Sequence, residues 1–418
     1  MKTTYLLLCL LGIGSVSGAG QTKQPQKIGD FIESTSYNEH RRNATRSLQY
    51  TPDGDDFVCI NGKNRFTRAL YGSHTAFRLE TSDRPVFAAY TKKNPKHICF
   101  KLQTSGGTVA LDSTEHCESR YTAGRRSYSL SDPAFGGGSL SITTWALPDK
   151  EGAIWQFNAR NFKEFHPVLL ASISEIRNSK LNRNGDMGAD PADSFEAPLQ
   201  PQQLQSFPVQ IDGTLYMLLE NQELRTLTTA EGENLFKKAE AARSETASRI
   251  RIETPDPYFN TLGGTLAMAA DGIWDGEVWL HGAIGWRMPL SGWRAAYTGD
   301  VLGWHDRART HFNAYAASQV TEVPNTFPHP AQDSALHLAR SVKKWGTPQY
   351  SNGYICRNPH RNNQMHHYDM NLCYIDELLW HFKWTGDLDY VRQMWPVITR
   401  HLAWEKLNYE RDNDGLYG

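Results

Sequence analysis

Tyr368-Asp-Met-Asn-Leu-Cys-Tyr-Ile-Asp-Glu-Leu-Leu-Trp-His-Phe-Lys-Trp-Thr-Gly-Asp387 decides how the C-terminal part of this 418-residue chain folds. Leu372, Ile375, Leu379 and Phe382 recur every three or four residues, which predicts a helix with one buried apolar stripe. Glu377, His381 and Lys383 then fall on the opposite face. At Thr385-Gly-Asp387 the glycine suits the left-handed position that ends a helix, and the aspartate suits the cap of the next one. A second helix follows at once with Val391, Met394, Ile398 and Leu402 at the same period. The pattern is an αα-hairpin with a minimal turn.

Outward from this hairpin, the same triplet stands 87 residues earlier as Thr298-Gly-Asp300, before a helical run through His311 and Tyr315. Two such turns fit two repeats of about 43 residues each, within the range of repeated supersecondary units. Asp300 and Asp387 both read as helix caps, and repeated hairpins predict a helical toroid. Ten of the 12 tryptophans follow residue 273, so the aromatic load lies in this helical part. Farther back, Thr228 and Glu231 have capping-box spacing. Leu235, Ala239, Ala242 and Thr246 continue at helical intervals until Pro255 and Pro257. This is a linker helix over 228–253.

Before residue 228 the period changes. Runs at Arg65–Leu70, Pro85–Tyr90, Ile98–Leu102, Ser139–Trp145, Ala153–Phe157 and Leu215–Leu219 are rich in aromatic and β-branched residues. In Ser139-Leu-Ser-Ile-Thr143 polar and apolar residues alternate strictly, which puts one strand face on a core and the other in water. An antiparallel β-sandwich is expected over 56–227. Residues 20–55 read as a polar linker. Residues 1–19 carry Lys2, an apolar run from Tyr5 to Ile13 and the small residues Ser15, Ser17, Gly18 and Ala19, a signal peptide pattern. The leucines before Cys9 imply cleavage without lipidation, and the expected location is periplasmic or extracellular. The fold class is thus α+β multidomain: sandwich, linker helix, then helical hairpins over 254–418.

A net charge of −1 leaves no basic stripe for nucleic acid. No run reaches the roughly 20 apolar residues of a membrane span. Five cysteines remain after the signal segment, an odd number with wide spacing. One bridge between Cys99 and Cys117 and a set of buried free thiols both stay open, with thiols favoured.

Thr254-Pro-Asp-Pro-Tyr-Phe-Asn260, Asp271-Gly-Ile-Trp-Asp-Gly-Glu-Val-Trp-Leu-His-Gly282, the stretch from Tyr368 to Trp395-Pro396 and the closing Asp412-Asn-Asp-Gly-Leu-Tyr417 resemble the six-hairpin glycosidase superfamily. Asn61-Gly-Lys-Asn-Arg-Phe-Thr-Arg-Ala-Leu-Tyr-Gly72 resembles the Bacteroidetes domain of unknown function 4450. The first resemblance implies an (α/α)6 toroid. Residues 258–418 hold roughly five helices at a 3.6-residue period, whereas six hairpins need twelve, so the expectation is an incomplete toroid and an inactive fragment of a longer protein.

Glycoside hydrolysis uses two carboxylates, one holding a proton at the leaving oxygen. Burial among aromatics raises a carboxyl pKa. Asp275, Glu277 and His281 lie between Trp274, Trp279, Trp286 and Trp293, with Arg287 and Arg294 nearby. Indoles stack on sugar faces, and Asp, Arg and His hydrogen-bond hydroxyls or a uronate. The Trp-Asp-Gly-Glu run resembles a sugar-contacting element of inverting members, which implies that Asp275 is a substrate ligand and Glu277 another ligand or the acid. The competing reading makes the tryptophans core and the carboxylates partners of the arginines.

His360, His366, His367 and Asp369 form a second cluster. Asp369 is a candidate acid or a helix N-cap, and His367 a candidate substrate ligand. With Cys356 and Cys373 these histidines match no closed zinc motif, and Asn182-Arg-Asn-Gly-Asp186 is only part of a calcium loop. Neither metal nor cofactor is expected. The function implied is an exported, inverting glycoside hydrolase acting on a polysaccharide or oligosaccharide. The alternatives are a polysaccharide lyase and a non-catalytic glycan-binding protein.

Overall fold

A computed structural model of the chain describes residues 50–62, 66–72, 76–90, 96–162, 166–175, 205–211, 213–221, 223–282, 287–293, 295–325, 332–333, 338–339, 346, 348–365, 369–410 and 414–415. The chain divides into two compact units, 1–48 and 49–418, and the described residues belong to the second. The expected signal peptide and the loop of Asn182, Asn184 and Asp186 lie outside the described residues.

The strands before the linker helix are β1 (Thr51–Asp53), β2 (Asp56–Ile60), β3 (Phe66–Tyr71), β4 (Arg78–Ser82), β5 (Val86–Tyr90), β6 (Lys96–Thr104), β7 (Gly107–Ala110), β8 (His116–Thr122), β9 (Arg125–Ser131), β10 (Ser139–Ala146), β11 (Gly152–Arg160), β12 (Val168–Glu175), β13 (Gln205–Gln210), β14 (Thr214–Glu220) and β15 (Glu223–Leu227). One sheet has the order β1-β2-β8-β9-β10-β11-β14-β15; the other runs β13-β12-β6-β5-β4-β3, with β7 on β6. Neighbours pair antiparallel, as in β10 on β11, where Ser139 faces Arg160 and Ala146 faces Ala153.

Between the sheets lies an aromatic core. Phe87 and Trp155 pack edge to face at 5.5 Å, and Phe100 and Phe157 at 5.0 Å, a geometry that ring quadrupoles favour. The alternation in β10 places Leu140 and Ile142 in this core. Its other face is not given over to water. Trp145, Ile154, Tyr216 and Leu218 make a second apolar surface there, and helix α1 (Thr229–Ala247) covers it with Phe236 and Ala239. The capping box at its start is closed, with Thr228 accepting from the Glu231 N–H and the Glu231 carboxylate accepting from the Thr228 N–H.

Six helices follow among the described residues: α2 (Pro257–Asn260), α3 (Leu262–Gly272), α4 (Tyr297–Val301), α5 (His305–Ala316), α6 (Asp369–Thr385) and α7 (Leu388–Tyr409). The α6–α7 turn forms as read. Gly386 is left-handed at φ 63°, and the Asp387 carboxylate accepts from the Tyr390 N–H at 3.0 Å.

Two other expectations fail. Thr298, Gly299 and Asp300 are not a turn but lie inside α4, and the chain reverses at Gly303, φ 73°. Gly299 is there because a Cβ would overlap the Trp279 indole. Asp300 is not a cap: buried, it meets His381 Nδ1 at 2.9 Å and His305 Nδ1 at 2.7 Å. The face of α6 forms only in part as read, with Ile375 buried, Phe382 packed against the core and Lys383 exposed. Leu372 and Leu379 are 38% and 40% exposed, while Asn371, Tyr374, Glu377, Leu378 and His381 are buried. On α7, Met394 and Ile398 are buried as read, but Leu402 is exposed and His401, Trp404 and Glu405 face inward. Cys59, Cys99, Cys117, Cys356 and Cys373 are all free thiols.

Gly232 of α1 sits against the Tyr216 ring so closely that a Cβ would overlap its base. Helix propensity alone would favour alanine there by up to ~1 kcal/mol, but overpacking against a fixed ring costs about 1–3 kcal/mol. Gly232→Ala is therefore expected to lower the urea midpoint without changing the slope; an unchanged or raised midpoint would show that α1 is not seated on β14 in this way.

Candidate functional site

The acidic segment leaves α3 as a tight hairpin. Trp274 and Trp279 bridge one another, and their rings pack at 4.6 Å. Both indoles are buried, 3% and 1% exposed, so they serve the core. Asp275, Gly276 and Glu277 form the exposed tip. Asp275 Oδ1 accepts from the backbone N–H groups of Glu277 at 3.0 Å and Val278 at 2.8 Å, an Asx turn that organises its own backbone. Gly276, at φ 102°, supplies the conformation the tip requires.

The ribbon continues through a bridge between Leu280 and Pro289 and a bond from the His281 N–H to the Met288 carbonyl at 3.0 Å. This lays the segment around Trp293 beside His281, ring centroids 5.7 Å apart. Trp293 is 46% exposed and is the indole of this segment that faces solvent among the described residues. Arg287 donates to the Gly272 carbonyl at 3.1 Å; burial lowers its pKa, and the Asp275 charge opposes that shift.

A second loop closes on this tip. Its anchors are the Cys356 N–H on the Ser318 carbonyl and the His360 N–H on the Ala314 carbonyl, at 3.3 and 2.9 Å, so it runs along the end of α5. His360 takes a left-handed φ of 58°, uncommon for a residue with a Cβ. That backbone turns its Nε2 onto Glu277 Oε1 at 2.6 Å, and both side chains are about half exposed. In the same loop Arg357 donates to Met288 Sδ at 2.7 Å and to the Pro289 carbonyl at 3.4 Å.

Beneath lies a buried polar layer. His311 Nδ1 accepts from the Trp279 N–H at 3.2 Å, so its Nε2 carries the proton and donates to the Ser291 carbonyl at 3.4 Å. Burial lowers its pKa to about 3, against the raising effect of the Ser291 bond. The Tyr315 hydroxyl, fully buried on α5, has no hydrogen-bond partner among the described residues. Burial and then the charge of Asp275 raise its pKa well above the usual tyrosine range, with Glu277 and Glu377 adding to the shift and Arg357 opposing it. Glu377 itself is 1% exposed.

The structure thus brings Asp275, Glu277 and Arg287 together at the exposed tip, and His281 and Trp293 together farther along the same ribbon. Asp369 stands at the first position of α6; its side chain, like Trp286, Arg294 and His367, lies outside what the structure describes. Sequence reasoning left Tyr315 and Arg357 out of the site and set Glu377 on a solvent face. The partner of Glu277 is 83 residues away, beyond any local signal.

A sandwich carrying a linker helix and then helical hairpins is the class of architecture these elements define. Residues 95–250, from β6 through α1, match the family model described as Domain of unknown function (DUF4450), and this part of the chain is similar to that family. No curated protein matches the chain.

His311 sets a pH dependence. A histidine with an unfolded pKa near 6.5 that stays neutral down to about pH 3 when folded makes the unfolded state bind more protons between those values. Stability from this source is present above about pH 6.5 and is lost as pH falls toward 3, by up to about 1.4 kcal/mol per pH unit. His97 in β6, lowered by burial to about 4, adds to the same slope. Urea midpoints measured from pH 7 to pH 4 are expected to fall, and less steeply in His97→Leu; equal slopes for the two proteins would refute the contribution of His97.

Proposed function

We propose that the chain is part of a carbohydrate-active protein of the six-hairpin glycosidase kind that binds a saccharide at the Glu277 tip and cleaves it by hydrolysis. The carrying observation is the Glu277–His360 pair, 2.6 Å apart and half exposed, on the segment that also presents the open face of Trp293. A sugar ring stacked on the Trp293 indole would lie beside a carboxyl group that an imidazole can reload with a proton, as acid catalysis at a glycosidic oxygen requires. In the inverting mechanism a second carboxylate activates water ~6.5–9.5 Å away. The α6–α7 hairpin and the order of sandwich, linker helix and helices support the superfamily reading. The signal-like N-terminus supports export, where water is abundant and phosphate is not, hence hydrolysis over phosphorolysis.

A lyase is the second reading, favoured by the Arg357 guanidinium held on the Pro289 carbonyl in the loop of His360, since elimination needs the uronate carboxylate neutralised while a base takes the proton beside it. An absorbance rise from an unsaturated product would select it.

Calorimetric titration of the purified chain with a panel of neutral and acidic oligosaccharides tests the site. Binding is expected, weakened about tenfold or more in Trp293→Ala through loss of the stacking face and changed only a few-fold in Glu277→Gln. Absence of binding across the panel, or binding indifferent to Trp293→Ala, would remove the proposal.

A further inference from the structure

The chemistry of Arg357 suggests what kind of sugar this site selects, and the inference rests on the saccharide reading above. A guanidinium carries five N–H donors in a planar fork suited to carboxylates. Arg357 is half-buried, yet among the described residues its donors meet only the Met288 thioether and the Pro289 carbonyl, the latter at 3.4 Å. Thioether sulfur is a weak acceptor. Taking a cation partly out of water costs free energy unless an anion meets it, and Arg357 makes no ion pair among the described residues.

Its position is fixed rather than incidental. The backbone anchors of its loop on Ser318 and Ala314 hold it over the end of α5, and its contacts with Met288 and Pro289 hold it against the ribbon that presents His281 and Trp293. The Tyr315 hydroxyl below it is a further donor without a partner among the described residues. An exposed aromatic face and a guanidinium without its anion therefore stand on one ribbon, that of His281, Met288 and Trp293.

We propose that Arg357 binds the carboxylate of a uronate residue, so that the saccharide taken by this site is an acidic one. In the competing account Arg357 only balances the charges of Asp275, Glu277 and Glu377, and then it has no bearing on which sugar binds.

Matched ligands separate the two accounts: oligogalacturonate and oligoglucuronate, each against its carboxyl-reduced counterpart of equal length, titrated into the full chain. The acidic member of at least one pair is expected to bind tenfold or more tightly, as a charge-assisted fork contact implies. Arg357→Gln should abolish that preference by weakening the acidic ligand alone, and Arg357→Lys should restore part of it. Equal affinities within both pairs would overturn the inference and leave the saccharide reading standing. A preference that survives Arg357→Gln would also overturn it, and no binding by either member would defeat both. Should Arg357→Gln fail to fold, the wild-type comparison of each pair still decides whether the site prefers acid.

Discussion

The carboxylate of Glu240, in the middle of α1, accepts from the Trp145 indole N–H at 2.7 Å and from Arg243 at 2.6 Å, with Arg125 at 3.3 Å. Burial works against the charge of Glu240, but the bonds and charges of Arg243 and its neighbours outweigh it and lower the pKa. Around this polar centre the packing is apolar: Phe236 meets Trp145 edge-on at 4.0 Å, and Ala239 fills the space beside them. The arrangement fixes α1 on the sheet. It also fixes what α1 leads to, because α3 packs along it and ends at Gly272 against Tyr71 of β3. The Trp274–Trp279 hairpin starts from that end, so the tip bearing Glu277 is positioned by contacts that begin in the sandwich.

The sandwich has a polar lock of its own. Arg126, fully buried between the sheets, donates to the Ser82 carbonyl and to the Tyr50 hydroxyl, both at 2.8 Å, and lies 3.9 Å from Asp83, which Tyr50 also bonds. Tyr128 donates to the same Ser82 carbonyl at 2.8 Å. Removing one partner of such a buried pair leaves an uncompensated charge, so the residues that bracket it depend on one another. Arg126 is on β9 of one sheet and Ser82 and Asp83 are on or beside β4 of the other. The lock therefore sets the registration of the two sheets, which apolar side chains alone specify loosely.

Features with local causes were legible in the sequence. The strand alternation in β10, the capping box at Thr228 and the Gly386–Asp387 turn each depend on residues within a few positions of one another. Features with distant causes were not. Gly299 and Asp300 copy the letters of a turn, but their reasons are an indole 20 residues earlier and a histidine 81 residues later. At the site, tryptophans around paired acids marked the right segment, because the composition is local. Which indole faces solvent, which side chain meets Glu277 and which hydroxyl lies beneath depend on how α5 and the loop of His360 close over it.

The misread face of α6 carries the most functional meaning. Helix α6 buries Asn371, Glu377 and His381 alongside Tyr374, Ile375 and Leu378, and exposes Leu372, Leu379, Trp380 and Trp384. Buried polar groups need partners, and this face supplies them: His381 meets Asp300, and the Asn371 Oδ1 bonds the Ile355 N–H. The latter contact holds the start of the loop that carries Arg357 and His360. The polar side of α6 is thus an internal scaffold that orders the groups around Glu277. The apolar side of α6 and α7, with Trp384 and Trp395 more than half exposed, contributes nothing to that task.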